Sequence, residues 1–208
     1  GAGASGLTAA IHASKNKNNN ITLIERNNVL GKKILATGNG KCNYYNSDQD
    51  LSHYHSTNNE LIKEIINNKN LKEVEDFFNY LGIIPKIKNG YYYPFSNQAT
   101  TIRNALVNEL NKSNIKILDN EKVTSIKKEN NKFIIKTENK SLEADKVIIS
   151  TGSYASPKTG SDGMGYNFLK EFNHTIIKPL PALVQLKANA SFLKEWSGIR
   201  TDIKASLF

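Results

Sequence analysis

Residues 1–6 read GAGASG, a G-x-G-x-x-G run, and the residues after it decide what that run can be. Glycine patterns of this length recur by chance. Here the run leads into LTAAIHASK, which puts Leu7, Ala10, Ile11 and Ser14 on one helical face, then into a turn-rich NKNNN at 16–20, then into ITLIE with strand character. Glu25 falls about 20 residues after the last glycine, the offset at which a dinucleotide fold places the acid for the adenosine ribose hydroxyls. The expected geometry has Gly1 in a tight turn, Gly3 where backbone approaches a pyrophosphate, and Gly6 where helix and strand pack closely. The helix N-terminus adds free N–H groups and partial positive charge.

A second cluster, GKKILATGNGKCNYYN at 31–46, is unexpected in a simple nicotinamide dehydrogenase, which would continue into another helix-strand repeat. Gly31, Gly38 and Gly40 allow positive φ or close approach, and Lys32, Lys33 and Lys41 can offset phosphate charge. Together they suggest a second loop over one long ligand, which favours FAD over NAD. The other reading is a flexible glycine turn with solvated lysines.

Farther along, residues 60–82 read as helix with a break near Asn67–Asn70 and Gly82 as its C-terminal stop. Residues 88–110 read as an aromatic hairpin or loop and then a helix carrying Ile102, Leu106, Val107 and Leu110. Tyr91 to Tyr93 are candidates for stacking on a ring or a base, against the commoner role of packing. Residues 115–149 alternate, predicting a small antiparallel meander that feeds a final buried strand, Val147 to Ile149. Thr151 and Gly152 follow that strand, where α/β folds receive ligands. Gly160, Gly163 and Gly165 form a third glycine-rich turn before a short helix.

A length of 208 residues suits one domain with a real core, or one domain and part of another. No run approaches the ~20 apolar residues of a membrane span and no signal peptide is visible, so a cytoplasmic location is expected. Cys42 is the only cysteine, which excludes an intrachain disulfide and a cysteine-built metal site. His53 and His55 lie in a polar segment without partnering carboxylates at metal spacing, His12 and His174 read as structural, and no metal is expected. The balance of 28 Lys and Arg against 19 Asp and Glu, a net charge of +9, suits a polyanion such as RNA. A solvated Lys- and Asn-rich surface accounts for it equally well. The chain opens inside the motif and its only methionine is Met164. The expectation is a piece of a longer protein, without the strand before Gly1 and without the C-terminal half.

Five segments carry a resemblance: GAGASGLTAAI, GKKILATGNGKCNYYN, YYYPFSNQAT, the run VIISTGSYASPKTGSDGMGYNFLKEFNHTIIKPLPALVQL, and SGIR. With these the chain resembles the BaiN/RdsA-type flavoproteins, NAD(P)/FAD-dependent oxidoreductases also called the aminoacetone oxidase family. It departs at Lys32 and Lys41, where arginine is common, and at Asn39, where glycine is common. The lysines keep the charge and lose the planar fork.

The resemblance implies an α/β fold of the two-dinucleotide-binding, Rossmann-like type with a β-meander over 1–183. Residues 184–208 would begin an inserted β-rich domain, reached through PLPALVQL. The implied FAD-binding positions are Gly1, Gly3, Ala4, Ser5 and Gly6 in the first turn, and Glu25 and Arg26 after the first strand. In the second turn they are Lys32, Lys33, Gly38, Gly40, Lys41, Cys42 and Asn43, and beyond it Val123, Thr151, Gly152 and Gly163. NAD(P)H would be the electron donor, and the chemistry reduction of an activated C=C bond, as in uridine of ribosomal RNA or an unsaturated bile-acid ring.

Cys42 is the candidate catalytic acid, because its lysine- and glycine-rich loop is expected to lower a thiol pKa. Its other reading is a small packing residue near the flavin. Still open are a small-molecule enone reductase, an amine oxidase, an NAD-only dehydrogenase and a non-enzymatic basic RNA-binding module. The oligomeric state is unassigned.

Overall fold

The computed structural model describes residues 1–181, 191–199 and 204. It divides into two units, Gly1–Ile177 and Lys178–Phe208. The first is a mixed α/β unit. In chain order it holds α1 (Ala4–Ser14), β1 (Ile21–Ile24), β2 (Tyr45–Asn46), α2 (Asn59–Ile65), α3 (Asn68–Tyr80), β3 (Pro85–Lys88) and β4 (Tyr91–Pro94). It continues with α4 (Ala99–Lys112), β5 (Ile115–Leu118), β6 (Val123–Glu129), β7 (Lys132–Thr137), β8 (Ser141–Ala144) and α5 (Met164–Glu171).

Local chemistry explains most boundaries. The side chains of Asn58 and Asn67 accept from the N–H groups of Leu61 (3.1 Å) and Asn70 (3.0 Å). Two such caps split residues 59–80 into two helices, because each satisfies an N–H that a helix start leaves free. Gly82, at φ +75°, ends α3 in the left-handed region that a side chain resists.

The main core lies between α1, β1, β5 and α4. Leu7, Ile11, Leu23, Ile102, Leu106 and Leu110 are all buried there, each contributing about 1.5–3 kcal/mol. Their spacing in α1 and α4 follows the helical period, so both helices turn one apolar stripe inward. A second cluster joins the β6–β7–β8 meander to α5 through Ile126, Ile135 and Phe168.

Two expectations about 115–149 are corrected. β5 leaves the meander and pairs in parallel with β1, Ile21 opposite Ile115 through Ile24 opposite Leu118. Half-buried Ile115 and Ile117 belong to the main core, and the chain between β1 and β5 is long enough for the crossover that parallel pairing requires. Val147 to Ile149 forms no strand. Val147 and Ile149 pack on the second cluster, while Ile148 is 68% exposed and no described strand runs alongside to complete a ladder.

The expectation that 184–208 begins a β-rich domain falls largely outside the described residues. Within the described part, Ser191–Lys194 forms a short 3-10 turn, and the Phe192 and Trp196 rings sit 5.1 Å apart. Among the described residues no helix is long and apolar enough to cross a membrane.

Candidate functional site

The first turn is built by contacts that leave no room for side chains. A Cβ on Gly6 would lie 1.9 Å from the Gly1 carbonyl oxygen and 2.6 Å from Ser150 Oγ, and one on Gly1 would lie 2.7 Å from the Ser150 carbonyl oxygen. Ser150 Oγ donates to the Gly1 carbonyl at 2.9 Å. Around Gly3, by contrast, a Cβ would meet nothing within 4 Å. Gly3 is the N-cap of α1, with no side-chain cap and no acidic residue in the first turn. The helix start therefore keeps N–H groups and partial positive charge facing open space, with Ala4 and Ser5 exposed beside it.

Glu25 holds this turn in place. It is 8% exposed. Its Oε2 accepts the Ala2 N–H at 2.7 Å, and its Oε1 accepts the N–H and the Nδ2 of Asn27 at 2.9 and 2.7 Å. Three of the roughly four acceptor sites on a carboxylate are thus used by the protein. The expected ribose-binding acid is also a brace, which its position in sequence did not reveal. The Gly31 N–H donates to the Ala2 carbonyl at 2.8 Å, tying the start of the second turn to the first.

Gly1, Glu25, Arg26, Val123 and Thr151, with Asp162, line one cavity of about 60 Å³. Arg26 and Asp162 form an ion pair at 2.5 Å between two of its walls. Lys33 reaches the third turn, donating to the Ala155 carbonyl at 2.5 Å and to Ser161 Oγ. The third turn closes on itself: Gly152 is at φ +78°, and Gly163, at φ +75°, lies under the Tyr154 ring. Asp162 and Ser161 were missed in the sequence. Asp162 sits within the quoted run TGSDGMGY, but only the fold brings it to Arg26, 136 residues away.

The later part of the second turn is elsewhere. Gly38 lies against the Asn43 backbone N–H and the Tyr93 ring, and the Cys42 N–H donates to the Thr37 carbonyl at 3.0 Å. The loop folds back on itself, so Gly38, Gly40, Lys41, Cys42 and Asn43 do not line the cavity, and Lys32 is exposed outside it as well. Asn43 Nδ2 is buried with no hydrogen-bond partner among the described residues.

Cys42 is corrected in one respect. It is 6% exposed in the main core, and burial pushes its thiol pKa up, with the Thr37 hydrogen bond opposing. Desolvation disfavours the thiolate; of the lysines expected to lower the pKa, Lys32 and Lys41 are exposed and Lys33 is bound to Ala155 and Ser161. The histidines also depart from expectation at one point, since His53 Nε2 lies 3.1 Å from Asp48 Oδ2. Of the expected stacking tyrosines, Tyr92 packs internally, edge-on to Tyr45 at 4.8 Å.

Two carboxylates near the cavity set an expected pH response. The Arg26 guanidinium, through its hydrogen bond, holds Asp162 below the usual carboxylate range. The Thr137 hydroxyl donates to buried Glu121 and does the same there. A carboxyl whose folded pKa is depressed contributes stability that is complete above its ordinary pKa of about 4 and is lost as pH falls through the folded value. Thermal melts should therefore hold steady from about pH 7 to pH 5 and fall below about pH 4. In the variant Asp162→Asn the acid-side fall should be shallower. Identical profiles for variant and parent would remove the ion pair from the account.

A family model described as HI0933-like protein Rossmann domain matches residues 1–202. A Clostridium scindens protein named 3-dehydro-bile acid delta(4,6)-reductase is 37% identical over 207 residues, covering 99% of this chain and 51% of its own length. A Haemophilus influenzae protein named ribosomal RNA dihydrouridine synthase is 26% identical over 209 residues, covering 98% of this chain and 52% of its own length. An Escherichia coli protein of the same name is 26% identical over 195 residues, covering 94% of this chain and 48% of its own length. The chain spans about half the length of the curated relatives it matches. A solved structure, that of Thermovibrio ammonificans THI4, aligns at a TM-score of 0.43 with 16% identity, covering 69% of this chain and 51% of that one.

Proposed function

Since the chain belongs to the HI0933-like Rossmann family, we propose that it is the cofactor-binding part of an FAD-dependent oxidoreductase that reduces an activated C=C bond with hydride from NAD(P)H. The observation that carries this reading is the first turn. Gly1 and Gly6 are packed to the backbone while Gly3 opens to free space at an uncapped helix start. That is a cradle a pyrophosphate fits, with N–H donors and positive potential but no side chain in the way.

On this reading Gly3, Ala4 and Ser5 hold the pyrophosphate. Glu25 keeps one acceptor position for the ribose while bracing Ala2. The cavity of about 60 Å³ beside it, lined by Arg26 and Asp162, is the place for the adenosine. The buried, unpartnered Asn43 Nδ2 offers a donor within the second turn. The chemistry supplied by bound FAD is hydride transfer from NAD(P)H to the carbon β to a carbonyl. The protein orients the reactants, and a proton reaches the neighbouring carbon. Cys42, buried in the second turn, stays the candidate donor on its place in that turn. Unchanged product formation in Cys42→Ala would assign it to packing.

The favoured substrate is uridine in ribosomal RNA, on the net charge of +9 and the names of two relatives. The higher identity to a protein named as a bile-acid reductase favours a small enone as the second reading. The test is the visible spectrum of the whole purified protein, followed by incubation of unmodified ribosomal RNA with the enzyme and NADPH. A flavin spectrum and new dihydrouridine are expected. A protein that stays colourless after reconstitution with FAD refutes the cofactor, and a yellow protein that makes no dihydrouridine but reduces an enone selects the second reading.

A further inference from the structure

We propose that the outer face of the β3–β4 hairpin is a docking surface for single-stranded RNA, next to the second glycine turn. The proposal rests on the RNA-substrate reading and adds the place where the strand is held.

Antiparallel pairing sets Lys86 opposite Tyr93 and Lys88 opposite Tyr91. The Phe95 N–H donates to the Ile84 carbonyl at 2.8 Å, extending the pairing by a further rung. Residues opposite one another share a face and alternate residues return to it. One face therefore carries Ile84, Lys86, Lys88, Tyr91, Tyr93 and Phe95. It is open except at half-buried Tyr93: Ile84 is 70%, Phe95 69% and Tyr91 47% exposed, and both lysines are exposed.

The opposite face is partly covered by the protein, with Ile87 still 57% exposed. Pro94 is fully buried there, and the Tyr92 hydroxyl donates to Glu75 of α3 at 3.1 Å. Glu75 is engaged there by Tyr92. The outer face sets a row of rings on β4 beside two cations on β3, which suits a strand with bases along one side and phosphates along the other. Aromatic planes stack on bases of any sequence, and ammonium groups release counterions from phosphates. A protein partner would be better served by unbroken apolar surface than by two lysines set among the rings. Tyr93 Cε1 lies 3.6 Å from where a Gly38 Cβ would stand, so a strand on this face runs beside the turn.

The experiment titrates the whole flavin-loaded protein into a fluorescent single-stranded RNA of about 16 nucleotides, at several salt concentrations. Tyr91→Ala and Phe95→Ala are each expected to weaken binding about tenfold. The double variant Lys86→Glu, Lys88→Glu should lower the slope of log affinity against log salt by about 1.4, the loss of two phosphate contacts. Circular dichroism and the visible spectrum of each variant should match the parent, since these side chains lie outside the core. If the parent binds RNA and the variants bind it equally well, this surface is wrong while the RNA reading stands. If the variants change the sedimenting mass and not the RNA affinity, the face is a self-association contact and the proposal fails. A parent that binds no RNA removes the substrate reading and this surface together, leaving the flavin assignment to its own spectral test.

Discussion

Gly6→Ala is expected to melt well below the parent. The added methyl would stand 1.9 Å from the Gly1 carbonyl oxygen and 2.6 Å from Ser150 Oγ. The first of these is backbone, which cannot rotate aside. Relief requires α1 to move off the turn, and α1 carries Leu7, Ala10 and Ile11 of the main core. Overpacking commonly costs about 1–3 kcal/mol, and a rigid backbone neighbour puts this case at or above that range. Against a total stability of about 5–15 kcal/mol, the loss is large. The measurement is the far-UV circular dichroism melt together with flavin absorbance after purification. A variant that melts with the parent and is equally yellow would show that the turn is looser than described. Gly3→Ala supplies the contrast: its Cβ meets nothing within 4 Å, so the melt should be preserved and only cofactor retention reduced.

Glu25→Ala carries the second large effect. Three N–H groups lose their acceptor at once, those of Ala2 and Asn27 and the Asn27 amide. Leaving buried donors unsatisfied costs about 1–3 kcal/mol each, although the exposed side of Asn27 will recover water. A net loss of about 3 kcal/mol corresponds to a Tm lower by about 6–12 °C for a chain of this size. Glu25→Gln is the sharper probe. A glutamine can keep its oxygen on Asn27 only by turning its NH₂ toward the Ala2 N–H, and flipping it sets the NH₂ against the two Asn27 donors. It should therefore also destabilise, although it is nearly the same size. Melts run with and without added FAD separate bracing from ribose binding. A loss of stability in the apo form is the bracing, and a further loss of the shift that FAD produces is the binding. An apo Tm within about 1 °C of the parent for Glu25→Ala would show that the carboxylate does not hold the turn.

Much of this was visible in the linear sequence because it depends on near neighbours. The glycine run, the helical stripe of α1, the break before α3, the stop at Gly82 and the 99–112 helix each follow from residues within a few positions of one another. What stayed hidden involves partners far apart. Nothing near residue 115 distinguishes a strand of the meander from one pairing with β1. Nothing near Arg26 announces Asp162. The second role of Glu25 escaped for a different reason: an acid at the ribose-binding offset looks the same whether or not it also accepts the Ala2 N–H. Cys42 misled because neighbouring lysines in sequence suggest a positive field, while in space Lys32 and Lys41 stand in solvent, Lys33 is bound to the third turn and the thiol is in the core.

The amino-acid sequence by itself determined the type of each long element and the presence of three glycine-bearing turns, because propensity, periodicity and positive φ are set over a few residues. The tertiary structure alone decided which turns share a cavity. It joined the first and third around Gly1, Glu25, Thr151 and Asp162, drew in Lys33, and left Gly38 to Asn43 against the hairpin. It also decided which face of that hairpin is free. Those outcomes depend on which apolar surfaces are buried together across long stretches of chain. That is a property of the whole packed core rather than of any local window.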